Sequence, residues 1–233
     1  MASMTRRAAR RLAGGCALLL GAVLSGCAAP QYTDVSVSGP YLHFKISRSW
    51  HQVSGSSLVS AMKAEGVGYG GGAWIAAYEA APVPRASDFL SFGTGQPFVF
   101  AELGQLNSAT RGQVTDAFLR DFWLPVTAPA RQQALAQGFP LTGFRQVRDQ
   151  VLTLGQGLRG FRETFDYTQG AHADTFDEDV LTNVDQTLIF VLVAHCTTIC
   201  YGNYQTQIKY MLSSVTVSGV VQPRPRGVGL IGR

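Results

Sequence analysis

Toward its C-terminal end the chain carries His195, Cys196 and Cys200 in the run HCTTIC. Imidazole and thiolate are metal ligands, but structural zinc takes four such groups, usually in closely spaced pairs. No partner pair exists: His43, His51 and His172 are scattered. On a strand, His195 and Cys196 also point to opposite faces. The run predicts a local Cys196–Cys200 disulfide, no metal site, and His195 as a satisfied histidine at the core's edge. DTFDEDV gathers Asp174, Asp177, Glu178 and Asp179. It lacks the glycine and the twelfth-position glutamate of a calcium loop, so a solvated strand face or hairpin end is expected. Glu163 is the odd residue in GFRETFDY, where its alternation partners are Phe161, Phe165 and Tyr167. An inward carboxylate is costly unless paired. A structural pair with Arg145 or Arg148 is expected, and a raised pKa with general-acid chemistry is the alternative. GVGYGG, Gly66 to Gly71, fits G-x-G-x-x-G, but a dinucleotide site needs the glycines between a strand and a helix. Here they precede a strand, which makes them a loop. Neither G-x-S-x-G nor H-E-x-x-H occurs. The expectation is no catalytic residue, no metal and no cofactor.

The elements that must position these residues are read from periodicity and turn signals. YLHFKIS (41–47), GGAWIAAYEA and QPFVFAELGQL read as strands. SSLVSAMKAEG reads as a short helix with Leu58 and Met62 inward and Gly66 as its stop. GQVTDAFLRDFWLP reads as a clearer helix with Val114, Phe118 and Phe122 on one face, and PARQQALAQG as another, capped by Gly138. FRQVRDQVLTL and LRGFRETFDYT flank Gly155-Gln156-Gly157. DTFDEDVLTN and TLIFVLVAHCT flank Val184-Asp185-Gln186. NYQTQIKYML reads as a final helix with Tyr204, Ile208, Met211 and Leu212 on one face, and SSVTVS as a last strand. LIFVLVA is apolar on both alternations, so its strand must be covered on both sides. Hairpin-length connections make the sheet antiparallel. The fold class is therefore mixed α/β (α+β): a largely antiparallel sheet with helices on both faces, an α/β/α sandwich.

The first 26 residues read as an address. TRRAARR is basic, and the apolar run from Leu12 to Leu24 is short of the roughly 20 residues that span a bilayer. Together they make a secretory signal peptide. Its end, Leu24-Ser25-Gly26-Cys27, resembles the lipobox of bacterial lipoproteins. That resemblance implies lipidation of Cys27 and cleavage before it. Residues 27–38 then form the lipidated cysteine and a tether, 39–218 one domain, and 219–233 a disordered tail. The chain holds 19 basic and 15 acidic residues, and four of the basic ones (Arg6, Arg7, Arg10, Arg11) leave with the leader. The mature charge is balanced, and nucleic acid is not an expected partner. In an exported protein, Cys196 and Cys200 form an even pair.

The order of elements resembles exported actinobacterial lipoproteins with a PsbP-like fold. The features are the early strand closing in SRSW, the GQGLRGFRETFDY hairpin, the late core strand running into CTTICY, and the final helix before SVTV. The resemblance implies a binding or accessory role without catalysis. The expected protein is held to the outer face of the cytoplasmic membrane through Cys27. Its partner would be an envelope protein, an envelope polymer or an apolar ligand seated near Trp50, Trp74, Trp123 or Phe144. The alternative is an envelope hydrolase using Glu163 with a second carboxylate.

Overall fold

The doubly apolar strand sets the architecture. The computed structural model describes residues 31–37, 42–67 and 73–217. Its elements run β1 (Tyr32–Val37), β2 (Leu42–Ser47), β3 (His51–Gln52), α1 (Gly55–Ala64), β4 (Trp74–Glu79), β5 (Phe98–Gln105), α2 (Asp116–Arg120) and α3 (Ala128–Ala136). They continue with β6 (Thr142–Thr153), β7 (Arg159–Gln169), β8 (His172–Thr182), β9 (Leu188–Thr197), α4 (Thr198–Ser213) and β10 (Thr216–Val217). Single 3-10 turns form at Ala86–Phe89 and Gly155–Gly157. Seven strands make the main sheet in the order β3-β4-β5-β9-β8-β7-β6, and β1-β2-β10 make a small one. Every pairing is antiparallel. The fold is mixed α/β with antiparallel sheets, as the hairpin-length connections require.

β9 lies at the middle of the main sheet, and its two alternations enter two separate cores. Phe190, Leu192, Ala194 and Cys196 pack with Phe44 and Ile46 of β2 and with Ile208, Met211 and Leu212 of α4. Ile189, Val191 and Val193 pack with Leu58 and Met62 of α1, Phe89, and Leu119 of α2. Each fully buried aliphatic side chain contributes about 1.5–3 kcal/mol, so the strand is committed to this position. One face is thus covered by α4 with the small sheet, the other by α1, α2 and the 3-10 turn. No helix among the described residues is long and apolar enough to cross a membrane.

Local chemistry explains the boundaries. Ser54, Thr115, Thr127 and Thr197 each cap a helix by accepting a backbone N–H through the side-chain oxygen. Gly138, at φ +79°, ends α3, and the Phe139 N–H returns to Ala134 O at 2.9 Å.

Three expectations are corrected. Tyr32–Val37 is not tether: it pairs residue by residue with β2 from Tyr32↔Ser47 to Val37↔Leu42. Its β-branched alternation of Thr33, Val35 and Val37 favours a strand, and Val35 is buried. The helix read across Val114 to Phe122 is only Asp116–Arg120. Asp121 stops it by accepting the N–H groups of Val126 and Thr127 at 2.8 and 2.7 Å, and Leu119 is its buried residue. The last helix begins at Thr198, directly after β9. The leader 1–26, Cys27 and the tail 219–233 lie outside the described residues, as do residues 68–71 of the GVGYGG stretch.

Candidate functional site

Strand register alone brings the carboxylates together. Glu163 of β7 stands opposite Glu178 of β8 on one side and Asp149 of β6 on the other. Partners in register share a face, here the face of Phe161, Phe165, Phe176 and Val180. α2 lies over it. Arg120 places Nε 3.1 Å from Asp149 Oδ2 and 3.9 Å from Glu163 Oε1, with its guanidinium 3.6 Å above the Phe161 ring. Gln146 Nε2 donates to Glu163 Oε1 at 3.4 Å. Neither carboxyl oxygen of Glu178 has a hydrogen-bond partner among the described residues. Burial pushes Glu163 up to about 8, with Asp149 adding to the rise and Arg120 opposing it. Burial likewise holds Glu178 well above the carboxylate range, reinforced by Glu163. Burial and their mutual proximity shift both side chains toward the protonated form as a coupled pair.

Neither expected partner of Glu163 shares its face: Arg148 stands opposite Thr164 in the register of β6 and β7. Arg145 pairs with Asp166 on the opposite face. The cation nearest Glu163 is Arg120, from a helix 43 residues earlier in the chain and invisible to strand alternation.

The acidic run is also corrected: Asp174, Asp177, Glu178 and Asp179 are fully buried rather than solvated. β8 is a central strand covered on both faces, so both alternations of DTFDEDV are inside. Asp179 takes a two-point pair from Arg162 Nε and Nη2 at 2.6 and 2.7 Å. Even so, burial raises it to about 6. Asp177 accepts from Thr164 Oγ1 at 2.9 Å and Tyr201 OH at 2.7 Å. Asp174 accepts the Gly93 N–H. These groups bind β8 to β7, to α4 and to the loop before β5. Among the described residues no group of three metal-ligating side chains is arranged to hold an ion.

Cys196 and Cys200 are joined by a disulfide with Cα atoms 5.9 Å apart, closing the corner from β9 into α4. His195 faces the other core, its ring stacked 5.2 Å from Phe176 and tilted against Phe98 at 5.9 Å. It is buried, but neither ring nitrogen has a hydrogen-bond partner among the described residues. The nearest carboxylate oxygen, Asp174 Oδ2, is 3.9 Å from Nδ1. It is therefore not the satisfied histidine that was expected.

Glu163 and Glu178 are sealed from solvent, while Asp149 stays partly exposed beside them. A groove of about 200 Å³ opens between α3 and the start of β6, walled by Pro125, Ala134, Leu135, Phe139, Phe144 and Tyr167. Of the aromatics expected to line a cleft, Phe144 does so. Trp50 is buried with Nε1 bonded to Gln207, and Trp123 packs on Phe89 and Phe100. Trp74 packs against the core on the α4 side. Sequence reasoning missed the groove, although the signal was present: α3 has no apolar stripe and buries no residue.

No protein-family model and no curated protein matches the chain by sequence. Solved structures are similar at low identity. Cyanobacterial PsbP (CyanoP) of Synechocystis sp. PCC 6803 is 12% identical, with 83% of this chain and 96% of that chain covered and a TM-score of 0.46. LpqN of Mycobacterium tuberculosis, which is involved in cell envelope biogenesis, is 14% identical over 81% and 91%, with a TM-score of 0.43. The Ran-binding protein Mog1p of Saccharomyces cerevisiae is 10% identical over 80% and 95%, also at 0.43.

Proposed function

We propose that this protein is a lipid-anchored, non-catalytic binding or accessory module on the outer face of the cytoplasmic membrane. The lipobox-like Leu24-Ser25-Gly26-Cys27 supports the anchor. The observation that carries the non-catalytic reading is the sealing of the acid pair: Glu163 is 1% exposed and Glu178 0%. A general acid has to come within hydrogen-bond reach of the atom it protonates, and α2 stands over both groups. The sheet's nearby surface carries an apolar groove with Arg131 in its wall. That lining suits recognition of an envelope component rather than bond cleavage.

A second reading keeps one specific observation in its favour. Glu163 and Glu178 face each other with raised pKa values, the arrangement an envelope hydrolase would use if α2 lifted away. Complementation of a deletion strain separates the two. Glu163→Gln is expected to fold and to restore the wild-type phenotype. A well-folded Glu163→Gln protein that fails to complement would overturn the binding reading and revive the hydrolase reading.

A further inference from the structure

The groove beside α3 has a feature that plain core packing does not explain. Arg131 is the sole charged residue of the helix, and it sits at the groove's wall rather than in solvent. Its guanidinium lies 4.0 Å above the Phe144 ring, and Nη1 donates to Val126 O. These contacts fix the group in place but leave most of its five donors free. Among the described residues it pairs with no carboxylate. The acid nearby in the chain, Asp121, is consumed by the loop: it accepts from Val126 N, Thr127 N and Thr127 Oγ1. Tyr167 donates its hydroxyl to Pro125 O and presents its ring to the cavity. The opposite wall is Leu135, which stays 58% exposed although it is the largest apolar side chain of α3.

From this juxtaposition we propose that the groove between α3 and β6 is a binding site for a small apolar carboxylic acid. Its chain or ring would lie against Ala134, Leu135, Phe139 and Phe144, and its carboxylate would take the free edge of Arg131. Charge and size select this class. One planar guanidinium matches one carboxylate in a two-point bond, whereas a phosphate monoester brings nearly two charges at neutral pH. An apolar cavity of about 150 Å³ holds benzene, so the 200 Å³ here holds a short acyl or aryl group. Stacking on Phe144 keeps the cation oriented while it is unoccupied, which lowers the ordering cost of binding. The inference rests on the non-catalytic reading above and names its ligand class.

The test uses the full chain reconstituted in nanodiscs, with empty nanodiscs as the blank, and hexanoate and 1-hexanol as probes followed by ligand-observed NMR. Hexanoate is expected to bind saturably and 1-hexanol at least ten-fold more weakly. Arg131→Met keeps the apolar stem, so it should weaken hexanoate ten-fold or more and leave 1-hexanol unchanged. Ala134→Phe should fill the groove and abolish both, with thermal unfolding monitored to confirm that each variant is folded. No saturable hexanoate binding, or equal affinity in Arg131→Met, would overturn the proposal. Complementation by Glu163→Gln is a separate readout: its failure would remove the non-catalytic reading even with hexanoate bound, and loss of hexanoate binding alone would leave that reading standing.

Discussion

At the scale of single residues, the buried acids make the molecule sensitive to pH in a definite direction. Glu163 rises from 4.5 to about 8 on folding, first through burial and then through Asp149. A carboxyl raised in the folded state binds its proton more tightly there. Its stabilising contribution is fully present below pH 4.5 and is lost as pH rises toward 8, flattening above. The slope for one such proton is about 1.4 kcal/mol per pH unit. Urea unfolding from pH 5 to 9 should therefore show stability falling with pH, and Glu163→Gln should flatten that fall. An identical slope in the variant would refute the assignment. Asp179 is a different case, since it is held by Arg162 rather than left neutral by choice of partner. Arg162→Ala strands a fully buried carboxylate and should cost about 3–5 kcal/mol, measured by the same unfolding midpoint. Little of this was legible in DTFDEDV. Alternation says which side chains share a face, but not whether that face is covered. The groups that cover it, Arg120, Arg162 and Tyr201, come from β7 and from helices distant in sequence.

At the scale of elements, the sheet was legible because its signals are local. Gly155-Gln156-Gly157 and Val184-Asp185-Gln186 turn the chain where expected, and β9 announces its central position by having no polar side before His195. The shortened α2 was not legible, because its stop is a side-chain contact from Asp121 to a loop rather than a glycine or proline. Close strand packing gives one sharp test. A Cβ on Gly160 would meet Val180 O at 1.9 Å and Leu181 Cα at 2.9 Å, both backbone atoms. Gly160→Ala must push β7 from β8 and should cost at least about 2 kcal/mol. A melting temperature unchanged from wild type would show that the two strands are not so tightly apposed. The β9–α4 corner gives another. Its disulfide closes a very short loop, so removing it should cost about 2 kcal/mol. The check is urea unfolding of Cys196→Ser/Cys200→Ser, paired with intact mass of the unreduced wild type. Two alkylatable thiols before reduction would refute the bridge.

At the scale of the whole molecule, the question is what holds the domain where it works. No helix among the described residues is long and apolar enough to cross a membrane, and the chain without its first 26 residues carries 15 basic and 15 acidic residues. In the function proposed above, attachment is the task of Cys27. Each buried acyl CH₂ contributes about 0.8 kcal/mol, which makes one chain a marginal anchor and two or three a stable one. With β1 beginning at Tyr32, the proposed anchor leaves only Ala28 to Gln31 between Cys27 and the sheet. On that proposal a link so short would hold the domain close to the bilayer, where composition led to the expectation of a tether reaching residue 38. Cys27→Ala should abolish lipid modification rather than weaken it, leaving either unprocessed precursor or released protein. Metabolic labelling with a clickable fatty acid, with mass spectrometry of the N-terminal peptide, reads both outcomes. Undiminished label in Cys27→Ala, or a mature N-terminus elsewhere than Cys27, would defeat the anchor. Inserting ten flexible residues after Ala29 should leave labelling intact and increase protease access to the domain in intact spheroplasts. Unchanged access would mean that the short link does not constrain it.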